Sequence, residues 1–266
     1  MTKQVVVIGS YAPMHAEPKV SSPQLSQALG GHALAVLESQ GDWHQVRGDD
    51  GYSGWIHAGY LAPVAPDVAP LAPHAPLTTS RAERLTSLGC IVRNAGERRR
   101  VLPPAALLLP EDTVESGRAL AADALRGEYP SDPAAAARTA TSIFEGTPYL
   151  WGGTTPWGAD CSGLVQTTFR LHGLVLPRDA WQQAAVGDDA GTDPLALRAG
   201  DLLFFSDRDD RRITHVGIAT GDRGMVHAAL GRGGFAVERL DDTDDLYVEK
   251  LRARFTGARR VKFGGA

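Results

Sequence analysis

Tyr149-Leu150-Trp151-Gly152-Gly153-Thr154-Thr155-Pro156-Trp157-Gly158-Ala159-Asp160-Cys161-Ser162-Gly163-Leu164 gathers two tryptophans, four glycines and a cysteine into one loop. The residues that follow, Leu164, Val165, Thr168, Phe169 and Leu171, repeat at helical spacing. Gly173 is a good residue to stop that helix. The spacing therefore predicts a helix with Cys161 at or near its first turn. Free N–H groups and the helix dipole at such a position favour a thiolate. The same N–H groups can hold a developing oxyanion. Position alone leaves a second reading open, in which Cys161 is a small buried hydrophobe.

A thiol nucleophile needs a base. The chain has eight histidines. His15, His32, His44, His57 and His74 lie in the N-terminal β-rich region and the spacer after it. His172 sits at the far end of the Cys161 helix, about 16 Å away by helix rise. His215 and His227 remain. Each lies in a segment that reads as a strand, Ile213 to Thr220 and Gly224 to Ala229, with Gly221-Asp222 as the turn between them. Paired strands can bring two such rings together, one as base and the other orienting it. The bland alternative is two ordinary strand histidines. Asn94 is the single asparagine and stands far upstream, so a Cys-His-Asn set is disfavoured and His227 is the economical third member.

Upstream, Val5-Val6-Val7-Ile8, His32 to Leu37, Trp43 to Val46 and Gly51 to Ile56 read as short strands of a small barrel, with Gly41-Asp42 as a turn. Proline recurs about every third residue in Ala62 to Pro76, which marks an extended spacer. Gly89 to Arg93, Arg100 to Leu102 and Leu107 to Pro110 suggest a second, reduced β module. Helices are expected over Ser116 to Leu125 and over Ala134 to Phe144, the latter capped by Asp132 with Pro133 in its first turn. Asp201 to Phe205 reads as a buried strand. A nucleophile helix followed by antiparallel strands is an α+β pattern. The expected organisation is residues 1–62, a 63–78 linker, 79–128, and 129–266.

Hydrophobic residues are 43% and charged residues 22%, with a formal net charge of -4. That balance suits a folded domain and gives no nucleic-acid footprint. Arg98-Arg99-Arg100 reads as a solvated loop. No stretch is long enough for a bilayer span, and Val5 to Ile8 is too short for a secretion core. A cytoplasmic monomer is the expectation. The two cysteines are no disulfide scaffold, and no metal-ligand spacing occurs, so neither metal nor cofactor is expected.

Tyr-x-Trp-Gly-Gly, then Asp-Cys-Ser-Gly-Leu, Gly-Asp-Leu-Leu-Phe-Phe, His-Val-Gly-Ile and a second His together resemble the NlpC-type cell-wall peptidases, over about half the chain and in family order. The resemblance implies a papain-like catalytic domain that cleaves peptidoglycan stem peptides. It makes Cys161 the nucleophile, His215 the base, His227 the orienting residue and Tyr149 an oxyanion donor. Trp151, Asp160 and Ser162, in the same motif, would line the substrate site. Gln24 to Leu61, with Gly41-Asp42-Trp43 and Gly51-Tyr52-Ser53-Gly54-Trp55-Ile56, resembles a bacterial SH3-like domain. The combination is similar to the dipeptidyl-peptidase VI subgroup, which releases L-Ala-D-Glu from stem peptides with a free N-terminal L-Ala. That implies Asp179 as partner of the substrate ammonium and Tyr52 as a contact from the SH3-like module. Asp179 could equally cap the run starting at Ala180, and Tyr52 could be a barrel-surface aromatic. The subgroup also places a Glu for the ammonium; Ser22 to Gln27 has none, and Glu17 and Glu38 do not align. The rival readings are an exported wall-remodelling endopeptidase, a wall-binding protein with an inert catalytic domain, and an acyltransferase or amidase on a related fold.

Overall fold

The computed structural model describes residues 3–64, 84–94 and 96–263. The proline-rich spacer expected at 63–78 lies, from residue 65 on, outside them, as does His74. The chain divides into two compact units, residues 1–128 and 129–266.

In the first unit, β1 (Gln4–Val7), β2 (Tyr11–His15), β3 (Gln24–Leu29), β4 (Ala33–Gln40), β5 (Trp43–Arg47), β6 (Ser53–His57) and β7 (Leu61–Pro63) form an antiparallel sheet of order β3-β2-β6-β5-β4-β1-β7. Its core holds Val7, Ala12, Val46 and Ile56, none with any exposed surface. Burying such side chains contributes roughly 1.5–3 kcal/mol for each Val or Ile. The β4–β5 hairpin closes at Gly41-Asp42, with Gln40 opposite Trp43.

A three-stranded sheet of order β10-β8-β9 follows: β8 (Thr86–Arg93), β9 (Arg99–Leu102) and β10 (Thr113–Leu120). It is tied to the larger sheet by main-chain and side-chain bonds. The Leu107 N–H donates to Gly30 O (2.8 Å) and Arg100 Nη1 to Ile8 O (3.1 Å). Three expectations fail here. Leu107 to Pro110 is not a strand. Its leucines are buried, but the run meets the ladder only at a Thr86–Leu107 bridge. The preceding Pro103-Pro104 supplies no N–H donors. Ser116 to Leu120 belongs to β10, and the helix α1 starts only at Ala122 (Ala122–Glu128). Gly117 explains why: it pairs with Cys90 at a left-handed φ of 78°, where an added Cβ would lie 2.2 Å from Gly89 O. Finally, Arg99 and Arg100 enter β9 rather than a solvated loop. Arg100 pairs with the buried Asp112, and Arg99 with Glu115 at 2.6 Å.

In the second unit, α2 (Pro133–Phe144) opens with the Asp132 carboxylate accepting from Ala134 N (3.0 Å). A short hairpin, β11 (Thr154–Thr155) and β12 (Gly158–Ala159), leads into α3 (Cys161–Leu171). Next come α4 (Ala180–Gln183), β13 (Asp188–Gly191), β14 (Leu202–Phe205), β15 (His215–Ala219), β16 (Gly224–Ala229), β17 (Gly234–Arg239), α5 (Leu246–Ala253) and β18 (Phe255–Arg260). The six strands form an antiparallel sheet of order β13-β18-β14-β15-β16-β17.

Alternation along the strands buries both faces. Leu202, Phe204, Val216, Ile218, Val226 and Ala228 pack with α2 and α3, whereas Leu203, Phe205, Ala219 and Met225 pack with Leu251 of α5. That is why Leu-Leu-Phe-Phe runs without a polar break. His172 closes α3 rather than joining any chemistry. Its Nδ1 bonds Pro130 O (2.6 Å) and its Nε2 bonds Thr139 Oγ1 (2.9 Å). Among the described residues no helix is long and apolar enough to cross a membrane, and no group of three or more His, Cys, Asp or Glu could hold a metal.

Candidate active site

The site begins with a capped helix. Asp160 is the N-cap of α3, and Oδ1 accepts from Gly163 N (2.7 Å) and Ser162 Oγ (3.2 Å). Oδ2 accepts from Gly152 N (2.9 Å), which fastens the Trp151-Gly152-Gly153 loop to the helix head. Arg178 completes the arrangement. Its side chain is 1% exposed, with Nη1 and Nη2 donating to the two Asp160 oxygens at 3.0 and 2.7 Å and Nη1 also donating to Ser162 Oγ at 2.8 Å. Gln183 Nε2 ties α4 to the same turn through Ser162 O (3.1 Å) and Pro177 O (2.8 Å). Gly163 is required sterically, since a Cβ there would lie 2.0 Å from Gly153 O.

Cys161 is thereby fixed at the helix head, 6% exposed. Its sulfur accepts from the backbone N–H groups of Val216 and Ser162. Val216 follows His215, and its N–H is available because β15 and β16 pair only at Ile218–Val226 and Ala219–Met225. The β15–β16 ladder ends short of His215, whose Nε2 lies 2.7 Å from His227 Nδ1. The register places the two rings diagonally across the strands, within reach of each other. His227 is fully buried, and its Nε2 is 3.3 Å from Glu238 Oε1 on β17. Glu238 is itself held by Arg232 Nε (2.8 Å) and Nη2 (2.9 Å).

Burial pushes the Cys161 thiol up to about 12; the charge of Asp160 adds to this, and the two N–H groups and Arg178 pull the other way but lose. His215 is lowered well below its ordinary value by burial and by His227. Burial thus opposes charge on both groups, the thiolate and the imidazolium alike. It works against the thiolate that the helix dipole favours, because the sulfur loses the water around it. Iodoacetamide labelling of Cys161, read by peptide mapping, is expected to be slow at pH 7 and to keep rising beyond pH 10, where an ordinary thiol of pKa about 8.5 has levelled off. A plateau below pH 9 would contradict the raised thiol. Tyr149 is half-buried, and burial together with the nearby Cys161 raises its hydroxyl. It stays a protonated donor across the working range.

The other residues singled out by sequence fall as follows. Trp151 is 67% exposed on the loop beside the helix head. Asp160 and Ser162 are buried in the network just described. Asp179 occupies the N-cap position of α4, half-buried. Its N–H donates to Gln182 Oε1 (3.1 Å) and its Oδ2 accepts from Trp181 Nε1 (3.2 Å). Tyr52 belongs to the first unit, where it packs on the barrel core and donates its N–H to Asp50 Oδ1 (2.9 Å). Glu17 pairs with Lys19 (2.6 Å), and Glu38 accepts from Gln40 (2.9 Å). Sequence reading assigned no part to Glu238 or to the Arg178–Asp160 pair. Nothing local signals a pair 18 residues apart, whereas a lone carboxylate in the alternating run Phe235-Ala236-Val237-Glu238 was a usable sign.

A helix-borne cysteine set against an antiparallel sheet that carries a histidine pair defines a papain-like α+β domain, here preceded by an SH3-like β-rich region. The NlpC/P60 family model matches residues 146–259 and the bacterial SH3 domain residues 10–62. The chain is 31% identical over 249 residues to the gamma-D-glutamyl-L-lysine dipeptidyl-peptidase of Bacillus subtilis, covering 86% of this chain and 79% of the relative. It is 29% identical over 266 residues to the Bacillus cereus protein of that name, covering 88% and 74%. The probable endopeptidase NlpC of Escherichia coli is 39% identical over 119 residues, covering 44% and 71%. The crystal structure of an NlpC/P60 family protein from Bacillus cereus superposes with a TM-score of 0.73 at 19% identity, covering 97% of this chain and 99% of that one. The chain belongs to the NlpC/P60 family.

Proposed function

We propose that this chain is a cysteine peptidase. In this reading it hydrolyses the γ-D-Glu–diamino acid bond of peptidoglycan stem peptides that carry a free N-terminal L-Ala, and releases L-Ala-D-Glu. One observation carries the substrate class. The relatives matched along both units are named dipeptidyl-peptidases, whereas the NlpC endopeptidase of Escherichia coli matches less than half of the chain.

The chemistry follows from the site. As the peptide γ-carbonyl approaches, His215 takes the Cys161 proton and the sulfur bonds to carbon. The oxyanion sits between the Cys161 N–H and the Tyr149 hydroxyl. His215 returns the proton to the leaving amine of the diamino acid, and the C–N bond breaks. It then takes a proton from water, which attacks the thioester, expels the Cys161 sulfur and regenerates the enzyme. The half-buried Asp179 carboxylate supplies a partner for the substrate ammonium. In intact wall that amine is acylated, so a free amine confines the enzyme to released peptides. Recycling in the cytoplasm fits such a substrate.

Mass spectrometry of the products from L-Ala-γ-D-Glu-L-Lys, and from the same peptide with an acylated amine, tests the reading. Cleavage of the free peptide alone is expected, with KM raised by Asp179→Asn. Equal cleavage of both would replace the recycling enzyme by a wall-remodelling endopeptidase. Cleavage of neither would remove the substrate class.

A further inference from the structure

Behind the histidine pair lies a carboxylate that the reaction above does not use. Glu238 is 4% exposed, so leaving it unpartnered would cost heavily. Both its oxygens accept from Arg232, which can only donate. Arg232 also donates to Asp245, the N-cap of α5, and lies 4.3 Å over the Tyr247 ring. Tyr247 in turn meets the edge of His227 at 6.3 Å between ring centres. Glu238 is thereby held as an ionised acceptor: burial opposes its charge, but the bonds from His227 and Arg232 outweigh that and lower it overall.

This has a consequence for two protons. A carboxylate facing His227 Nε2 at 3.3 Å can only accept, so that nitrogen carries the hydrogen. In the neutral form of that ring the lone pair is then on Nδ1. His215 Nε2, 2.7 Å away, must donate to it. The unprotonated nitrogen of neutral His215 is therefore Nδ1, the one not engaged by His227.

We propose that Glu238 is a positioning residue that fixes the tautomers of both imidazoles through the line Glu238–His227–His215 and leaves Nδ1 of His215 as the base for Cys161. The catalytic set thus ends in a buried carboxylate rather than in His227, and Arg232 holds that carboxylate in place. Once His215 becomes an imidazolium during acylation, the same line offers it an acceptor backed by negative charge. The proposal rests on the reading of Cys161 and His215 as nucleophile and base, but its first test needs no substrate.

Nitrogen-15 NMR of the imidazoles in the full-length wild-type protein reads the tautomers directly. Nε2–H is expected on both His227 and His215. A protonated Nδ1 on neutral His227 overturns the proposal whatever the substrate proves to be. Glu238→Met removes the acceptor and is expected to mix the two tautomers of His227. On the peptide L-Ala-γ-D-Glu-L-Lys it should lower kcat by about 10–100-fold, the usual cost of losing an orienting partner. KM should stay within about twofold, and Glu238→Asp should recover part of kcat. Unchanged kcat with a single His227 tautomer in Glu238→Met would show that the carboxylate only braces the fold. If Glu238→Met does not fold, the wild-type tautomers still decide the matter.

Discussion

Cys161→Ala is expected to lower kcat/KM by roughly 10⁴-fold or more while leaving the fold in place. Removing the nucleophile of an acyl-transfer set leaves only the binding and oxyanion contributions, and losses of that order follow. The fold should survive because the side chain is small. Cys161 is 6% exposed, and its sulfur takes the backbone N–H groups of Val216 and Ser162. A change of about 1 kcal/mol is the scale for such a substitution, so the melting transition should move by only a few degrees. The neighbouring Asp160–Arg178 pair does not depend on the sulfur. Cys90 provides the control. It is 2% exposed in β8 of the first unit, bonded to Ser87 Oγ at 3.3 Å, and burial raises its thiol too. Cys90→Ala should keep wild-type turnover, and loss of activity on alkylation should track modification of Cys161 alone. Turnover above a hundredth of wild type in Cys161→Ala would remove the covalent mechanism.

The catalytic half was legible because its signals are local and redundant. Glycines close the loop, Asp160 caps, helical spacing follows, and two strands alternate on either side of a Gly-Asp turn. The register then brings His215 and His227 together, as their places on neighbouring strands suggested. Legibility failed where the deciding contact is distant or the composition misleads. β2 contains Pro13, and β3 is Gln-Leu-Ser-Gln-Ala-Leu; neither shows clean alternation, and each is a strand because its partners are. Ser116 to Leu120 has the residue types of a helix but sits in a ladder fixed by β8 and the left-handed Gly117. The upward push on the thiol is hidden from the sequence for a related reason. A helix terminus can be seen in the sequence, whereas the packing that dries the sulfur comes from β15 and the core around it.

The Asp-Cys-Ser-Gly motif has a structural logic that sets the second large effect. Asp160 is 7% exposed and accepts from Gly152, Ser162, Gly163 and Arg178, so one carboxylate joins the loop, the helix head and the segment before α4. Arg178→Met should therefore destabilise the second unit by about 3–5 kcal/mol, because it strands a buried carboxylate with part of its donors lost. Against a typical total of roughly 5–15 kcal/mol this is a large share, and chemical denaturation followed by tryptophan fluorescence would resolve it. Arg178→Lys should recover only part, since an ammonium cannot reproduce the two-pronged contact. The double change Asp160→Asn with Arg178→Met should be less damaging than the sum of the single changes, because the stranded charge is gone. Activity should fall with stability, for Cys161 is the residue next to Asp160, at the helix head that the cap fixes. A loss below about 1 kcal/mol in Arg178→Met would mean that the three N–H and O–H donors hold Asp160 unaided.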